Sequence, residues 1–234
     1  ALSFGGFWAW DPVENASLVP WLTMVGAAHV MMVNQKKNKS VYTTIFLTLI
    51  TYILVMYASF LVHSGVLGDT SVHAFTGEGS KAQHMVMLFT LIGLSTTLLL
   101  LNKQFKRIYL GATLFLLIVG LYFEMEVAAI VTYLGMSIVM IIAAYFKFFP
   151  RPKQEEPLWS REFWMFIGTL VLIFSAILIT FTTSIPVYKK VAGLFGLELN
   201  ITSPLEPVAH YNKYQLWIAV FIGFLSGIAQ FLRY

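Results

Sequence analysis

Residues 108–146 run without a charged side chain except for Glu124 and Glu126. As one α-helix this stretch would measure about 58 Å at 1.5 Å per residue, close to twice the roughly 30 Å hydrocarbon thickness of a bilayer. It therefore reads as two membrane crossings. The two carboxylates, costly at mid-bilayer, mark a tight hairpin between them. The same reasoning applied along the chain gives helices at about 18–33, 41–62, 84–101, 108–123, 127–146, 163–183 and 215–232. The first is short for a full crossing, and its N-terminal end merges with a dense aromatic segment. The fold class that follows is all-α: a polytopic transmembrane helix bundle of about seven spans, forming a single membrane domain over 1–234.

Composition supports this reading. Only 11% of the residues are charged, against about 25% in soluble domains, which is too few to solvate a folded surface. The net charge of +4 does not point to nucleic acid, because the basic residues sit in short clusters between the apolar runs. If the helices alternate in direction, one side collects Lys36, Lys37, Lys39, Lys103, Lys106, Arg107, Lys147, Arg151, Lys153, Arg161 and Arg233. The other holds Lys81, Lys189, Lys190 and Lys213. This eleven-to-four division of the 15 Lys and Arg obeys the positive-inside rule and puts the first side in the cytoplasm. Segments 1–17, 63–83 and 184–214 then face outwards, and irregular connections of this kind carry most chemistry. The chain has no cysteine, so disulfides and thiolate metal sites are excluded within it. Residues 150–157 read as a proline-rich cytoplasmic linker. Ala1 opens partway into a motif and Tyr234 follows closely on an apolar run, so we expect a piece of a larger protein.

That motif, Gly5-Gly6-Phe7-Trp8-Ala9-Trp10-Asp11-Pro12-Val13-Glu14-Asn15, is the most informative stretch. Asp11 suits an N-cap, Pro12 the first helical position and Glu14 the return partner of a capping box. Two readings of the aromatic residues stand. They can be an interfacial belt. Alternatively Phe7, Trp8, Trp10 and Trp21 form a flat surface for a large planar ligand, with Gly6 allowing close backbone approach. His29, about 16 Å into the first helix at 1.5 Å per residue, falls near mid-bilayer. An ionisable group there is by default a functional hypothesis; the alternative is a neutral imidazole hydrogen-bonded to a neighbouring helix. His63 and His84 read as interfacial helix ends, and His210 as part of a loop turn.

The stretch from Trp10 through Trp21 resembles the tryptophan-rich "WWD" signature of the haem-handling family that includes CcmC, CcmF and CcsA, and is most similar to CcmF. A second block, Phe60-Leu-Val-His63-Ser-Gly-Val-Leu67 with Ser71-Val-His73-Ala-Phe75, resembles the CcmF segment downstream of that signature. A weaker third block runs from Ser160 to Pro186. Phe7 and Ala9 stand where related signatures often carry tryptophan, His63 where arginine is expected, and helices 108–146 look like an additional pair.

The resemblance implies a haem-handling segment at 1–21, with the outward loops 63–83 and 184–214. By it, His29 is an axial ligand of a membrane-bound haem b and His73 an axial ligand of the haem to be attached. Gly6, Phe7, Trp8, Trp10, Asp11 and Trp21 would line the binding surface. Both partner histidines would lie outside these residues. The implied function is a haem lyase component in cytochrome c maturation, with no side chain of this chain acting as general acid or base. Partners would be apocytochrome c, a haem chaperone, thiol-reducing assembly proteins and membrane lipid, in the bacterial inner membrane with the motif face periplasmic. Transport of haem across the bilayer and a scaffold that binds no haem are the alternatives.

Overall fold

The computed structural model describes residues 8–37, 40–75, 80–123, 126–148 and 157–232, and these form helices and turns with no strand. Along the chain come α1 (Pro12–Lys37), α2 (Val41–His63), α3 (Lys81–Leu99), α4 (Lys103–Tyr122), α5 (Glu126–Phe148), α6 (Arg161–Thr183), the short α7 (Ile185–Leu194) and α8 (Pro207–Ala229). Among the described residues six stretches are long and apolar enough to cross a membrane: Pro12–Lys36, Val41–His63, Ala82–Leu99, Lys103–Tyr122, Ala128–Lys147 and Arg161–Thr183. The chain is an all-α, multi-pass membrane protein.

Expectation and structure part most at α1, α7 and α8, each for a local reason. α1 begins at Pro12 rather than near 18, because its polar first turn satisfies its own donors. Asp11 Oδ1 accepts from Val13 N at 2.9 Å, while Glu14 Oε2 accepts from Ala9 N at 3.0 Å and Asp11 N at 3.2 Å. Those amides would otherwise be orphaned at the helix start. α7 falls where a loop was expected. Pro186 sits in its first turn, where a missing N–H costs nothing, and Ser184 both closes α6 and opens α7. α8 starts at Pro207 rather than 215, so His210 lies in a helix and not in a turn. Its polar opening turns, with His210, Asn212, Lys213 and Gln215, keep α8 below the apolar content of the six spans.

The chain divides into two compact units, one of residues 1–85 with 154–234 and one of residues 86–153. In the first, α1 packs along α2 and α6, and α6 along α8. Gly26 lets α1 approach α6 closely: a Cβ there would come within 3.2 Å of the Thr169 methyl. Small residues at such crossings are how membrane helices gain contact without a hydrophobic driving force. Polar bonds tie the same helices together. Tyr57 of α2 donates to Ser184 Oγ at 2.7 Å, and Ser175 of α6 donates to Gln215 Oε1 of α8 at 2.6 Å. The starts of α1, α3 and α8 meet the ends of α2 and α6 at one end of this unit. Parts of segments 1–17, 63–83 and 184–214 therefore meet at this end.

The second unit is built on the α4–α5 hairpin. Asn102 caps α4 by accepting from Gln104 N and Phe105 N at 2.7 and 3.3 Å. Tyr109 and Ser137 share a hydrogen bond of 2.8 Å, and Tyr133 donates to Phe89 O at 2.7 Å. Glu124 lies outside the described residues, as do residues 150–156 of the expected 150–157 linker.

Candidate functional site

Trp10 adopts φ +56°, a left-handed conformation uncommon for a bulky residue. The surroundings hold it there from several directions. Its indole N–H donates to Asn212 Oδ1 at 2.9 Å, and its carbonyl accepts from the Asn15 side-chain amide at 3.0 Å. Its ring stacks on Tyr211, with centroids 4.9 Å apart and planes 17° from parallel. It also packs against the core of Val19, Leu22, Leu172, Ala176, Ile179 and Tyr211. Asn15 is fully buried. Such a conformation persists only where the surroundings over-determine it, as they do here.

The next residue reaches in another direction. Besides capping α1, Asp11 Oδ1 accepts a hydrogen bond of 2.7 Å from Ser71 Oγ and lies 3.4 Å from His73 Nδ1. Ser71 Oγ in turn accepts from His73 N at 3.1 Å. Val66 and Leu67 anchor this loop in a core with Ala16, Phe60 and Leu61. Motif and loop, sixty residues apart, thus form one site. A carboxylate this close to Nδ1 favours the tautomer with its proton there, the arrangement common in metal-binding histidines.

The expected flat aromatic surface is not what the described residues form. Trp8 and Trp10 stand nearly perpendicular, 88° apart with centroids at 5.8 Å. Trp10 has one face covered by Tyr211, so the exposed ring of the pair is Trp8. Trp21 lies about 13 Å along α1 from Pro12 at 1.5 Å per residue and presents half its surface outwards. Gly6 and Phe7 lie outside the described residues.

His29 lies elsewhere, and the early start of α1 changes its place along that helix. It falls about 25 Å from Pro12 at 1.5 Å per residue, towards the basic end of the helix rather than at its centre. There it lines a cleft of about 230 Å³ between α1, α6 and α8, with Arg161, Trp164, Met165, Gly168 and Ser226 among the walls. His29 Nδ1 is buried and has no hydrogen-bond partner, so the bond to a neighbouring helix considered above is not made by this nitrogen. A buried polar atom left this way costs about 1–3 kcal/mol.

His63 and His84 lie at helix ends, as expected, and the structure stacks them on each other at 5.4 Å, with Phe75 also stacked on His63 at 4.9 Å. His84 Nε2 meets Ser59 Oγ at 3.0 Å. Among the described residues no group of three or more His, Cys, Asp or Glu side chains could hold a metal ion; iron ligation by single histidines is not limited by that.

Sequence reasoning missed Ser71, Tyr211 and Asn212. Ser71 is a small polar residue in a loop. Tyr211 and Asn212 sit at the foot of an apolar run, where polar residues are ordinary.

Residues 1–67 match the family described as "Cytochrome C assembly protein". Along its whole length the chain is 26% identical to the cytochrome c-type biogenesis protein CcmF of Escherichia coli K12, of which it spans 28%. Over 90 residues, 38% of the chain and 13% of the relative, it is 42% identical to the cytochrome c-type biogenesis protein CycK of Bradyrhizobium diazoefficiens. Over 95 residues, 41% of the chain and 17% of the relative, it is 37% identical to the probable cytochrome c-type biogenesis protein NrfE of Escherichia coli K12. No solved structure matches it significantly.

Proposed function

This chain is a relative of the CcmF-type cytochrome c biogenesis proteins, and from that relationship we propose that it binds haem and positions it for covalent attachment to apocytochrome c on the extracytoplasmic face. The observation that carries the proposal is the junction of the aromatic motif with His73 through Asp11. It ties the loop imidazole to the motif that also carries the exposed indole of Trp8, at the end of the unit where parts of 1–17, 63–83 and 184–214 meet. When bound, haem would bring the vinyl groups that react with the cysteines of a Cys-x-x-Cys-His segment. The chain's own contribution is positioning. The Asp11 carboxylate stands 3.4 Å from His73 Nδ1 and would orient the ring, and Trp8 would offer an apolar face for a porphyrin edge. Haem chaperone and thiol-reducing assembly proteins would act beside it.

A resident haem b at His29 is the second element of the proposal. The cleft fits such a group in kind: an imidazole as ligand, Arg161 as a counter-charge for a carboxylate, and Met32, Met165, Trp164 and Leu172 as apolar walls. At about 230 Å³ it would enclose only one edge of a macrocycle.

The test is the absorption spectrum of the purified protein in detergent, beside His29→Ala and His73→Ala. A reduced b-type spectrum that weakens in His29→Ala supports membrane ligation. Haem transfer to a Cys-x-x-Cys-His peptide that fails in His73→Ala, with the b-type spectrum kept, supports attachment. A haem-free protein, or spectra and transfer unchanged in both variants, would sink the proposal.

A further inference from the structure

The unit of residues 86–153 contains a cleft of its own. α4 packs along α5, whereas α3 makes no comparably close crossing with either, and Tyr133 of α5 spans the gap to donate to Phe89 O of α3. Between them lies a cleft of about 510 Å³, with Gly93 and Thr97 of α3, Thr113 and Leu117 of α4 and Ile130 of α5 in its walls. Leu94, Leu110 and Leu117 line it and are each more than half exposed, so the cleft opens to the surroundings of the helices. In a membrane those surroundings are lipid hydrocarbon. The walls offer carbon to match. Thr90 and Thr97 give their hydroxyls to Val86 O and Gly93 O at 2.8 Å, Tyr109 shares its own with Ser137, and Thr113 Oγ1 is buried. The volume falls in the range of small-ligand sites. It is little more than one turn of an α-helix, which fills roughly 400 Å³ at a diameter of about 10 Å and a pitch of about 5.4 Å. A hydrocarbon chain fits such a cleft, and a partner helix does not.

Charge marks one end of it. α4 opens with Lys103, Lys106 and Arg107, and Lys147 in the last turn of α5 lies over the Phe105 ring at 4.8 Å. Both helices therefore bring cations to the same end. Lys103, Lys106, Leu110, Thr113 and Leu117 follow the three-and-four spacing of a single helix face, so the stripe that lines the cleft runs on into two of these cations. The acidic residues of 86–153 are Glu124 and Glu126, and α5 starts at Glu126, the end away from Lys147.

We propose that this unit binds one anionic phospholipid, its phosphate at Lys103 and Lys106 and one acyl chain laid in the cleft. Basic clusters at the foot of membrane helices attract anionic head groups, and a lysine stem can lie along the apolar wall while its ammonium reaches the phosphate. The site does not depend on the haem reading, since neither His29 nor His73 belongs to this unit.

The experiment is native mass spectrometry of the full chain in detergent with dioleoyl phosphatidylglycerol or dioleoyl phosphatidylcholine, which carry the same chains. The first phosphatidylglycerol is expected to be retained several-fold more than phosphatidylcholine. Lys103→Gln with Lys106→Gln should bring the two to parity, and the paired Arg replacements should restore the preference, which a merely misfolded variant would not show. A phosphatidylglycerol with a diazirine in its acyl chain should crosslink mainly within residues 89–97 and 109–117. Equal retention of the two lipids, or a preference unmoved by the Gln pair, overturns the head-group site. Crosslinks spread evenly over the helices overturn the cleft as the seat of the chain. Retention of a copurified uncharged lipid, or of a second copy of this chain, in preference to phosphatidylglycerol overturns the proposal as a whole.

Discussion

The Asp11 carboxylate accepts a hydrogen bond from Ser71 Oγ at 2.7 Å across sixty residues of chain, and the same oxygen caps α1 and faces His73 Nδ1. One side chain thus serves the helix, the loop and the imidazole. Asp11→Asn keeps an acceptor for Val13 and Ser71 but loses the negative charge beside His73. Asp11→Ala loses everything. Removal of a cap costs about 1 kcal/mol, and a hydrogen bond to a charged group contributes about 1.5–3 kcal/mol. Asp11→Ala should therefore lower the midpoint of thermal unfolding clearly and speed hydrogen exchange in residues 64–75. Asp11→Asn should stay near wild type in both, while losing haem transfer to a Cys-x-x-Cys-His peptide. Equal stability of the Ala and wild-type proteins would refute the junction.

His29 gives a prediction of opposite signs. Its Nδ1 is buried without a partner, so an apolar side chain of similar size relieves a destabilising feature. His29→Leu should match or exceed wild-type stability in detergent, by up to about 1 kcal/mol if part of the desolvation cost is recovered. The same substitution should remove the b-type haem absorption. Marked destabilisation by His29→Leu in the haem-free protein would instead assign the imidazole to packing.

These two residues show what the sequence makes legible and what it hides. α2 and α6 are legible because uninterrupted apolar runs of bilayer length have few alternatives. The cap at Asp11, Pro12 and Glu14 is equally local, and the structure contains it. His29 falls nearer the basic end of α1 than the apolar run alone suggests, because α1 continues through a polar first turn that hydropathy discounts. α7 was hidden by Pro186, Lys189, Lys190 and Gly193, which break its apolar pattern over only ten residues. The Trp10–Asn212 bond joins positions 202 residues apart. Nothing local to either residue announces it.

In the second unit, Gly93 is required by close approach rather than by backbone conformation. A Cβ there would fall 2.6 Å from the Tyr133 hydroxyl, which donates to Phe89 O at 2.7 Å. Gly93→Ala should displace that hydroxyl and cost about 1–2 kcal/mol, the loss of a net hydrogen bond with some strain. Tyr133→Phe removes the obstructing atom, so adding Gly93→Ala to it should cost much less. A double-mutant cycle in unfolding free energy reads the difference. Additive effects would mean the two groups do not meet.

The bond between Ser175 and Gln215 links α6 to α8 at 2.6 Å, with both residues buried. Either single replacement, Ser175→Ala or Gln215→Leu, leaves a polar partner stranded in an apolar setting. Side-chain hydrogen bonds between membrane helices average only about 0.6 kcal/mol by double-mutant cycles. Each single variant should therefore lose modest stability, and the double variant should lose less than the sum. If the double variant loses the full sum, the bond contributes nothing beyond the packing of each side chain.

The absence of cysteine makes sidedness directly testable, since any introduced thiol is the sole target for a maleimide. Val72 and Leu205 are exposed at 78% and 97%, and Leu158 at 64%. Val72 lies in the loop held by Asp11, and Leu205 just before α8, whose first turns contact Trp10. Leu158 precedes α6, at the end of that helix which carries Arg161. If the positive-inside reading holds, a membrane-impermeant maleimide added to spheroplasts should label Val72→Cys and Leu205→Cys and spare Leu158→Cys until the cells are opened. The reversed pattern would put the aromatic motif in the cytoplasm and remove extracytoplasmic haem attachment as a function. Labelling of Val72→Cys without Leu205→Cys would mean that the two segments do not share a membrane face, contrary to the Trp10–Asn212 contact.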